Sequence, residues 1–394
     1  MTDPATLRKN LKGLERTLNS EFVERNEVIH TAVLALTSQS HHFVKSVPGT
    51  GKSAMIKRLV AHVGGLDEGD YFERLLTRFT NYSELFGAVD ILALQEGVYR
   101  LITKNKLPQA RVFFGDEIFK SSSSILNSLL KILNEREFEN EFGEPIKVPL
   151  STGFFGSNEL PESDELLALW DRIHFRHFVD PIRTSSGFQK MLRMNWEENP
   201  EPKILWSEIV EIQNLAKQVE VSKQVMETLG QLRKSLAAES VFPSDRRFMH
   251  CLDVIRAEAF YNDHPKTLIV DMKPLSYVLW THESNIKMVD KMIIELAAPI
   301  DRAAMDLLED MDRLTADLRK VEQETDSPKL VRTEALRVIT RLKEISTEIG
   351  DLHKKYGGDD NTEKVKELKD RWNTMNSEIL TKQFGYPLTE GEQQ

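Results

Sequence analysis

Residues 41–59, HHFVKSVPGTGKSAMIKRL, restrict the fold more than any other stretch of the chain. HHFVKSV predicts a short strand, SAMIKRLVAHV predicts a helix, and a glycine-containing turn joins them. Successive backbone N–H groups in such a turn, at the start of a helix, bind phosphate. In the pattern G-x-x-x-x-G-K-[ST], Lys52 would contact the outer phosphates and Ser53 would bind Mg²⁺. The predicted phosphate loop consists of Pro48, Gly49, Thr50, Gly51, Lys52, Ser53 and Ala54.

The loop departs from this pattern at its first position, where Ser46 replaces the usual glycine. That glycine serves the turn that enters the loop, and we expect the small serine to fit there at some strain. Gly49 and Gly51 remain available for the tight turn and for close approach to phosphate. A glycine-rich turn with a solvated lysine would have the same letters, so the loop alone does not establish a nucleotide site.

A second motif lies about 60 residues further on, where the apolar strand RVFFGDE ends in Asp116 and Glu117. In nucleoside triphosphatases with this loop, the aspartate assists Mg²⁺ and the glutamate polarises the attacking water. Gly115 stands where a bulky apolar residue is usual, and we expect it to weaken strand packing but to leave both carboxylates in place. The motif predicts a metal site formed by Ser53 and Asp116, with Glu117 as the catalytic carboxylate.

Three further polar positions fit the same chemistry. Asn158 follows another predicted strand, in FFGSNELP, where it would orient the lytic water beside Glu117. Arg172 and Arg176, in ALWDRIHFRHF, are candidates to reach a γ-phosphate across a subunit boundary, as arginine fingers do. A turn-forming asparagine and a salt-bridged helical arginine are the ordinary alternatives.

Other residues are candidates to contact the nucleotide from outside the sheet. Arg246 or Arg247, in PSDRR at a predicted helix start, would contact the phosphates from a second, helical domain. The base would meet backbone and apolar groups around Phe22 and Val23, and such contacts leave the choice between adenine and guanine open.

Residues 1–40 predict two amphipathic helices. From there to residue 185, strands and helices alternate, which predicts an α/β fold with a parallel sheet. Within this part, GVYRLITKN predicts a hairpin that turns at Lys104-Asn105-Lys106. Strand signals stop at about residue 186, and several globular helices are predicted to about residue 285. We therefore expect a nucleotide-binding subdomain at 1–185, a helical lid at 186–285 and a helical extension at 286–394.

Heptad spacing marks the last hundred or so residues. Apolar residues follow a 4-3 spacing from Ile300 to Val321, and similar runs begin at Ala335 and Val365. The two intervening segments, ETDSPK and YGGDDNT, predict turns. Three such helices predict an antiparallel coiled-coil bundle, with three ordinary amphipathic helices on a globular body as the alternative.

Composition excludes several classes of protein. A formal net charge of -10 argues against a protein that mainly coats nucleic acid. The single cysteine, Cys251, argues against a disulfide framework and a cysteine metal site. His41 and His42 are interpreted as surface or strand-edge residues, and no transition-metal site is predicted. Because the chain lacks both a long apolar run and the apolar core of a signal peptide at its start, we expect a cytoplasmic protein without a membrane span.

The ordered set of loop, Asp-Glu strand, asparagine and two arginine motifs resembles that of an AAA+ ATPase. RFTNYSELFG, the block GVYRLITKNKLPQARVFFGDEIFKSSSSILNSLLKILNEREF and GSNELPESDELLALWDRIHFRHFVD resemble the MoxR branch, and within it the RavA type. SDRRF and CLDVIRAEAFYN resemble the lid of that type. The resemblance covers about residues 15–285, and the C-terminal helices resemble the RavA extension only in general style.

The resemblance implies a role for each matching residue. It assigns Walker A to Lys52 and Ser53, Walker B to Asp116 and Glu117, and sensor 1 to Asn158. The arginine finger is Arg172, with Arg176 as the second choice. Sensor 2 is Arg246, with Arg247 as the second choice. It further implies a hexameric ring that uses ATP and Mg²⁺, often with a von Willebrand factor A domain partner. Such a ring acts as a chaperone-like remodeller or a maturation factor for metal centres.

Two other functions use the same core. A nucleic-acid translocase or restriction-type motor is one, and a related branch uses GTP, but the acidic charge and the lack of a recognisable DNA-binding module speak against it. A nucleotide-gated scaffold is the other. In such a scaffold, ATP would set only the assembly state, and the coiled coil would carry out the function of the protein. The departures at Ser46 and Gly115 support the scaffold, whereas the joint presence of Lys52, Asp116 and Glu117 favours hydrolysis.

Overall fold

The computed structural model describes residues 2–138, 145–161, 163–196, 200–324, 327–356 and 363–384. These residues form two compact units, one that ends at Val289 and one that begins at Asp290. Among the described residues, no helix combines the length and the apolar character that crossing a bilayer requires.

The strands all belong to the first unit. They are β1 (His42–Ser46), β2 (Val63–Gly64), β3 (Tyr71–Leu75), β4 (Ala88–Val89), β5 (Leu101–Ile102), β6 (Val112–Asp116), β7 (Glu137–Phe138), β8 (Ile146–Lys147), β9 (Thr152–Ser157), β10 (Phe175–Val179) and β11 (Ile204–Leu205). The two-residue strand β11 pairs with β2, so one short strand lies in a region where only helices were predicted.

A five-stranded sheet in the order β10-β1-β9-β6-β3 forms the centre of the first unit. Every neighbouring pair in this sheet is parallel. All five strands therefore end at one side of the sheet, here called the carboxyl end, and begin at the opposite side, the amino end. The parallel α/β class predicted from the alternation of strands and helices is confirmed.

Eleven helices lie within the described part of the first unit, and a twelfth crosses into the second. They are α1 (Pro4–Glu21), α2 (Asn26–Thr37), α3 (Lys52–Ala61), α4 (Tyr82–Phe86), α5 (Ile91–Gln95), α6 (Ser123–Glu135), α7 (Asp164–Arg172), α8 (Ser185–Leu192), α9 (Trp206–Gln218), α10 (Lys223–Ala238), α11 (Asp245–Tyr261) and α12 (Ile286–Ala297). The predicted amphipathic character fits α1, whereas α2 is buried almost all round. The reason is that β1 and β10 pack on one side of α2 and α1, α9 and α11 pack on the others.

The hairpin predicted around GVYRLITKN pairs differently from the expectation. Its strand β5 pairs with the earlier strand β4, and α5 forms the connection. Asp90 causes this pairing: its carboxylate accepts hydrogen bonds from the first turn of α5 and from the guanidinium of Arg100. Asn105 does lie in a turn, with φ of 56°, but a 3-10 turn follows it instead of a strand.

The histidines His41 and His42 are buried, so their interpretation as surface or strand-edge residues is wrong. Strand β1 has a neighbour on each side, and the sheet covers both residues. The ring of His42 stacks on His177, and both Nε2 atoms lie within hydrogen-bonding distance of Thr31 Oγ1. Burial lowers the pKa of His42 to about 3, so this ring stays neutral inside the fold.

The second unit is a three-helix bundle of α13 (Pro299–Glu324), α14 (Pro328–Tyr356) and α15 (Glu363–Phe384). Its core consists of Ile300, Ala304, Leu307, Met311, Leu314, Leu318, Ala335, Val338, Leu342, Ile345, Leu352, Val365, Leu368, Met375 and Ile379. These residues follow the predicted heptads, so the bundle is confirmed. The predicted turns lie partly outside the described residues.

Polar contacts between the helices show the order of the bundle. Arg341 of α14 bonds to Asp310, near the middle of α13, and Trp372 Nε1 donates to the carbonyl oxygen of Leu342 at 2.7 Å. Lys382, near the end of α15, bonds to Glu322, near the end of α13. Because Arg371 also bonds to Asp312, α13 and α15 run parallel. The end of α14, at Asp351 and Leu352, lies beside the start of α13, so α14 runs antiparallel to both.

Candidate active site

The predicted phosphate loop joins the carboxyl end of β1 to the start of α3. Gly49 and Gly51 have φ of 85° and 87°, a left-handed conformation that glycine adopts without steric cost. Gly51 caps α3, where its carbonyl oxygen accepts a hydrogen bond from the N–H of Met55 at 2.9 Å. The free N–H groups of the first helical turn follow this loop, which is the arrangement that binds phosphate.

Ser46 fits the loop without backbone strain, so the strain expected there is wrong. It is the last residue of β1 and has no positive φ, so the position does not require glycine. Its buried Oγ accepts a hydrogen bond from Thr50 Oγ1 at 2.6 Å. The serine therefore ties the entrance of the loop to its middle.

The two predicted metal-site residues lie against each other. Ser53 Oγ, in the first turn of α3, donates to Asp116 Oδ2 at the end of β6, at 3.1 Å. One hydroxyl and one carboxylate at a phosphate site are oxygen donors of the kind that Mg²⁺ prefers. Sequence reasoning missed Gly156, which pairs with Asp116 in the sheet and whose Cβ, if present, would lie 2.8 Å from Asp116 Oδ1. Only the strand register reveals that requirement for glycine.

Glu117 has an unusual backbone and a cationic neighbour. Its φ of 55° is left-handed, which is uncommon for a residue with a side chain and is concentrated at functional sites. Its Oε2 forms an ion pair with Lys120 Nζ at 3.1 Å but accepts no hydrogen bond from the described residues. Lys120 lies in the sequence block that resembles the MoxR branch, but no role was predicted for it. Its position three residues after Glu117 could have indicated that the two side chains pair.

Lys52 and Asn158 also meet at this end of the sheet. The Nζ of Lys52 donates to Asn158 Oδ1 at 2.8 Å. Burial lowers the pKa of Lys52, while Asp116 and Glu117 act in the opposite direction. The structure thus brings together five predicted residues, here called the carboxyl-end cluster: Lys52, Ser53, Asp116, Glu117 and Asn158.

Gly115 lies against two aromatic rings that leave little room for a side chain. A Cβ at this position would lie 3.1 Å from the ring of Phe113 and 3.2 Å from that of Phe155. The two rings pack edge to face with centroids 5.8 Å apart. The two rings occupy the volume that a side chain at position 115 would enter.

Replacing Gly115 with valine is therefore expected to destabilise the fold. The added methyl groups overpack the space between Phe113 and Phe155, at a cost of about 1–3 kcal/mol. Urea unfolding followed by circular dichroism measures this cost, with Gly230→Ala on α10 as a control because no atom lies within 4 Å of its added Cβ. A Gly115→Val protein as stable as the wild type would show that the rings rearrange freely.

The residues predicted to surround the base lie near the loop. A small cavity of about 10 Å³ beside the loop is lined by Phe22, Arg25, Val44, Thr50, Gly51, Lys52, Met55 and Val179. Phe22 thus borders the loop, and it packs on Trp196 with ring centroids 5.1 Å apart. Val23, the other residue predicted near the base, packs toward Gly187 of α8, and its contact with the base stays a prediction.

Arg172 and Arg246 lie at the amino end of the sheet, opposite the loop. Arg172 ends α7 just before β10, where the backbone N–H of His174 bonds to the carbonyl of His41. Arg246, in the first turn of α11, lies 3.7 Å from Asp171. A five-residue strand spans roughly 16 Å, so β1 separates this end from the phosphate loop of the same chain.

The two arginines line one cationic cavity, here called the amino-end cavity, of about 420 Å³. Its charged and imidazole side chains are Arg136, Arg172, Lys217, Arg246, His174, His250 and Asp253. Burial lowers the pKa of Arg172, and the nearby cation Arg246 acts in the same direction. The Nε of Arg172 is buried without a hydrogen-bond partner among the described residues, so this guanidinium retains an unused donor.

The second-choice arginines, Arg176 and Arg247, are buried and bond to backbone carbonyl oxygens, so the structure favours Arg172 and Arg246 over them. Arg176 donates to the carbonyl oxygens of Ile173, Trp280 and Trp170. Arg247, which is 1% exposed, donates to five carbonyl oxygens, those of Trp170, Asp171, Ile173, His174 and Val278. Both guanidiniums hold the segment that precedes β10 in place. In this arrangement they face carbonyl oxygens inside the fold rather than a phosphate.

Comparison with known proteins agrees with this arrangement. Residues 9–217 match the MoxR domain of MoxR-vWA-beta-propeller ternary systems, and residues 224–293 match an AAA lid domain. Two uncharacterized proteins of Methanocaldococcus jannaschii are similar: one is 34% identical over 79% of this chain and 81% of its own length. The other is 33% identical over 88% of this chain and 91% of its own length.

A solved structure shares the fold. It is described as a "putative ATPase" from Cytophaga hutchinsonii and superposes with a TM-score of 0.60 at 16% identity, over 74% of this chain and 96% of its own. The MoxR-domain match alone spans more than half of the chain. With the phosphate loop, the carboxylate pair and the helical lid in place, this chain belongs to the MoxR family of AAA+ ATPases.

Proposed function

We propose that this chain hydrolyses ATP at sites that are complete only where two protomers meet. The observation that supports this proposal is the separation of the predicted groups by the sheet. The carboxyl-end cluster adjoins the phosphate loop, whereas Arg172 and Arg246 adjoin the amino end of the same strands. An arginine on that side can serve only a nucleotide that another protomer binds.

The carboxyl-end cluster binds the nucleotide in this proposal. The N–H groups of the loop and the ammonium of Lys52 contact the phosphates. Ser53 and Asp116 hold Mg²⁺, which when bound neutralises part of the phosphate charge. To do so, Lys52 turns from Asn158 toward the phosphates, and Ser53 and Asp116 exchange their mutual hydrogen bond for contacts with the ion.

Hydrolysis then depends on groups from two chains. Glu117 accepts a proton from the attacking water, and Asn158 orients that water. Arg172 and Arg246 of the neighbouring protomer stabilise the charge that develops on the γ-phosphate. A head-to-tail contact that repeats around a closed ring would place each amino-end cavity against the next phosphate loop.

The wider role proposed here follows the family. We infer a hexameric, RavA-like ring in the cytoplasm that remodels or matures protein partners in a chaperone-like way, with a von Willebrand factor A domain protein as partner. The family description that names MoxR and vWA systems supports the partner. The lid at about 186–285 would move relative to the α/β part during turnover, and the helical extension at 286–394 would dock the partner.

Turnover per protomer is expected to rise with protein concentration, because a separated protomer lacks the arginines of its neighbour. Phosphate release from MgATP, measured from dilute to concentrated protein, tests this, with Lys52→Ala as the inactive control. ATP binding without turnover at every concentration would contradict hydrolysis and would favour a nucleotide-gated scaffold.

A further inference from the structure

The groups of the carboxyl-end cluster pair with protein atoms. Lys52 bonds to Asn158 and Ser53 bonds to Asp116, and both pairs must separate before the nucleotide and its metal ion can bind in the proposed way. Glu117 forms the third pair, with Lys120, at 3.1 Å. By the same logic, this pair must also open before Glu117 can act on water.

The third pair is built into the local backbone. The left-handed φ of Glu117 ends β6 abruptly, and the 3-10 turn Ile118–Lys120 follows directly. That turn places Lys120 three residues from Glu117, on the same side, where its Nζ reaches Oε2. The Glu117 side chain is 13% exposed, whereas that of Lys120 is 41% exposed, so the lysine covers the carboxylate from the solvent side.

A lysine in this position competes with catalysis. While Oε2 of Glu117 lies 3.1 Å from the ammonium group, that oxygen is engaged by Lys120 and is not available to an attacking water. Glu159 offers Lys120 a second carboxylate: it follows Asn158 in the chain and, like Glu117, raises the pKa of Lys120.

We propose that Lys120 is a positioning residue that holds Glu117 out of its catalytic orientation until a nucleotide-loaded interface forms. This inference rests on the proposed hydrolytic role of Glu117. Lys120 then moves toward Glu159, and Glu117 turns to the attacking water. The pair thus restrains turnover in protomers that lack a complete neighbouring contact.

The test compares Lys120→Met, Lys120→Arg and the wild type by ATP turnover at limiting and at high protein concentration. An exposed ion pair contributes about 0.2–1 kcal/mol, so we expect Lys120→Met to raise kcat about 1.5- to 5-fold at limiting concentration, with KM unchanged. Lys120→Arg keeps the pair and is expected to keep the wild-type rate. Lys223→Met makes the same substitution at a more exposed Lys–Glu pair on α10, remote from the carboxyl-end cluster, and serves as the control.

Two further measurements separate this inference from the proposed function. Thermal unfolding and ATP binding establish that each variant is folded, and Lys120→Met combined with Glu117→Gln must lose the gain, because the gain acts through Glu117. A Lys120→Met protein as slow as or slower than the wild type would overturn the inference, as would a gain that survives Glu117→Gln. Absence of turnover in the folded, ATP-bound wild type and in all variants would instead contradict hydrolysis itself.

Discussion

Replacement of Glu117 by glutamine is expected to lower ATP turnover about 10²- to 10⁴-fold, the usual contribution of a positioned general base. The amide keeps the shape of the side chain but cannot accept the proton of the attacking water. Nucleotide affinity should change little, because Lys52 and the loop N–H groups, rather than Glu117, contact the phosphates in the proposed complex. The effect should therefore appear in kcat and leave KM almost unchanged.

Phosphate release at saturating MgATP measures this loss, and a fluorescent ATP analogue measures the retained binding. Glu227→Gln is a suitable control, because Glu227 is 62% exposed on α10, where it forms a surface ion pair with Lys223. Wild-type turnover in the Glu117→Gln protein would show that another group activates water.

Replacement of Arg172 by alanine is expected to lower turnover by about 10³- to 10⁵-fold, the effect typical of arginine fingers. Without this guanidinium, the charge on the transferring phosphoryl group loses a cation that the neighbouring protomer supplies. Arg246→Ala is expected to act in the same direction, because both side chains line the amino-end cavity. Arg313→Ala is the matched control, since Arg313 is 75% exposed on α13.

Mixing two inactive proteins gives the decisive measurement. Lys52→Ala lacks a working phosphate loop and Arg172→Ala lacks the finger, yet each chain supplies what the other has lost. In a random mixture of equal amounts, about a quarter of head-to-tail interfaces would join an intact loop to an intact arginine. Activity should therefore return on mixing. A mixture as inactive as its components would show that Arg172 acts within its own chain or not at all.

The carboxyl-end cluster was predictable because parallel strands end together. The motifs at Ser53, Asp116 and Asn158 each follow a strand with a recognisable apolar run, and such strand ends converge in an open α/β sheet. The heptads of the bundle were predictable for a similar reason, since one apolar stripe on each helix must be buried against the others.

The position of the arginines was not predictable in the same way. Strand β10 contains Arg176 and His177 among its five residues, so it lacks the apolar run that marks a buried strand. Both side chains can be buried because Arg176 donates to the carbonyl oxygen of Trp280 and His177 stacks on the ring of Tyr277. These partners are distant in the chain and cannot be identified from a single sequence. With β10 unrecognised, the side of the sheet on which Arg172 lies could not be inferred.

Compensation by residues that the motifs do not specify explains the two departures from the usual motifs. Thr50 holds Ser46 across the loop, and Phe155, on a neighbouring strand, fills the space above Gly115. Thr50 occupies a position that the loop pattern leaves open, and Phe155 lies outside the Asp-Glu motif. Comparing this chain with the usual motif one position at a time therefore overstates the loss of function that a departure such as Ser46 or Gly115 implies.

The five carbonyl bonds of Arg247 have a mechanical consequence. They fasten the first turn of α11, which carries Arg246, to the segment that carries Arg172. Breaking them would leave a buried charge unpaired, at a cost of about 3–5 kcal/mol. A displacement of α11 is therefore transmitted to Arg172 and Arg246 together, so both cations approach or leave a neighbouring nucleotide in a single step.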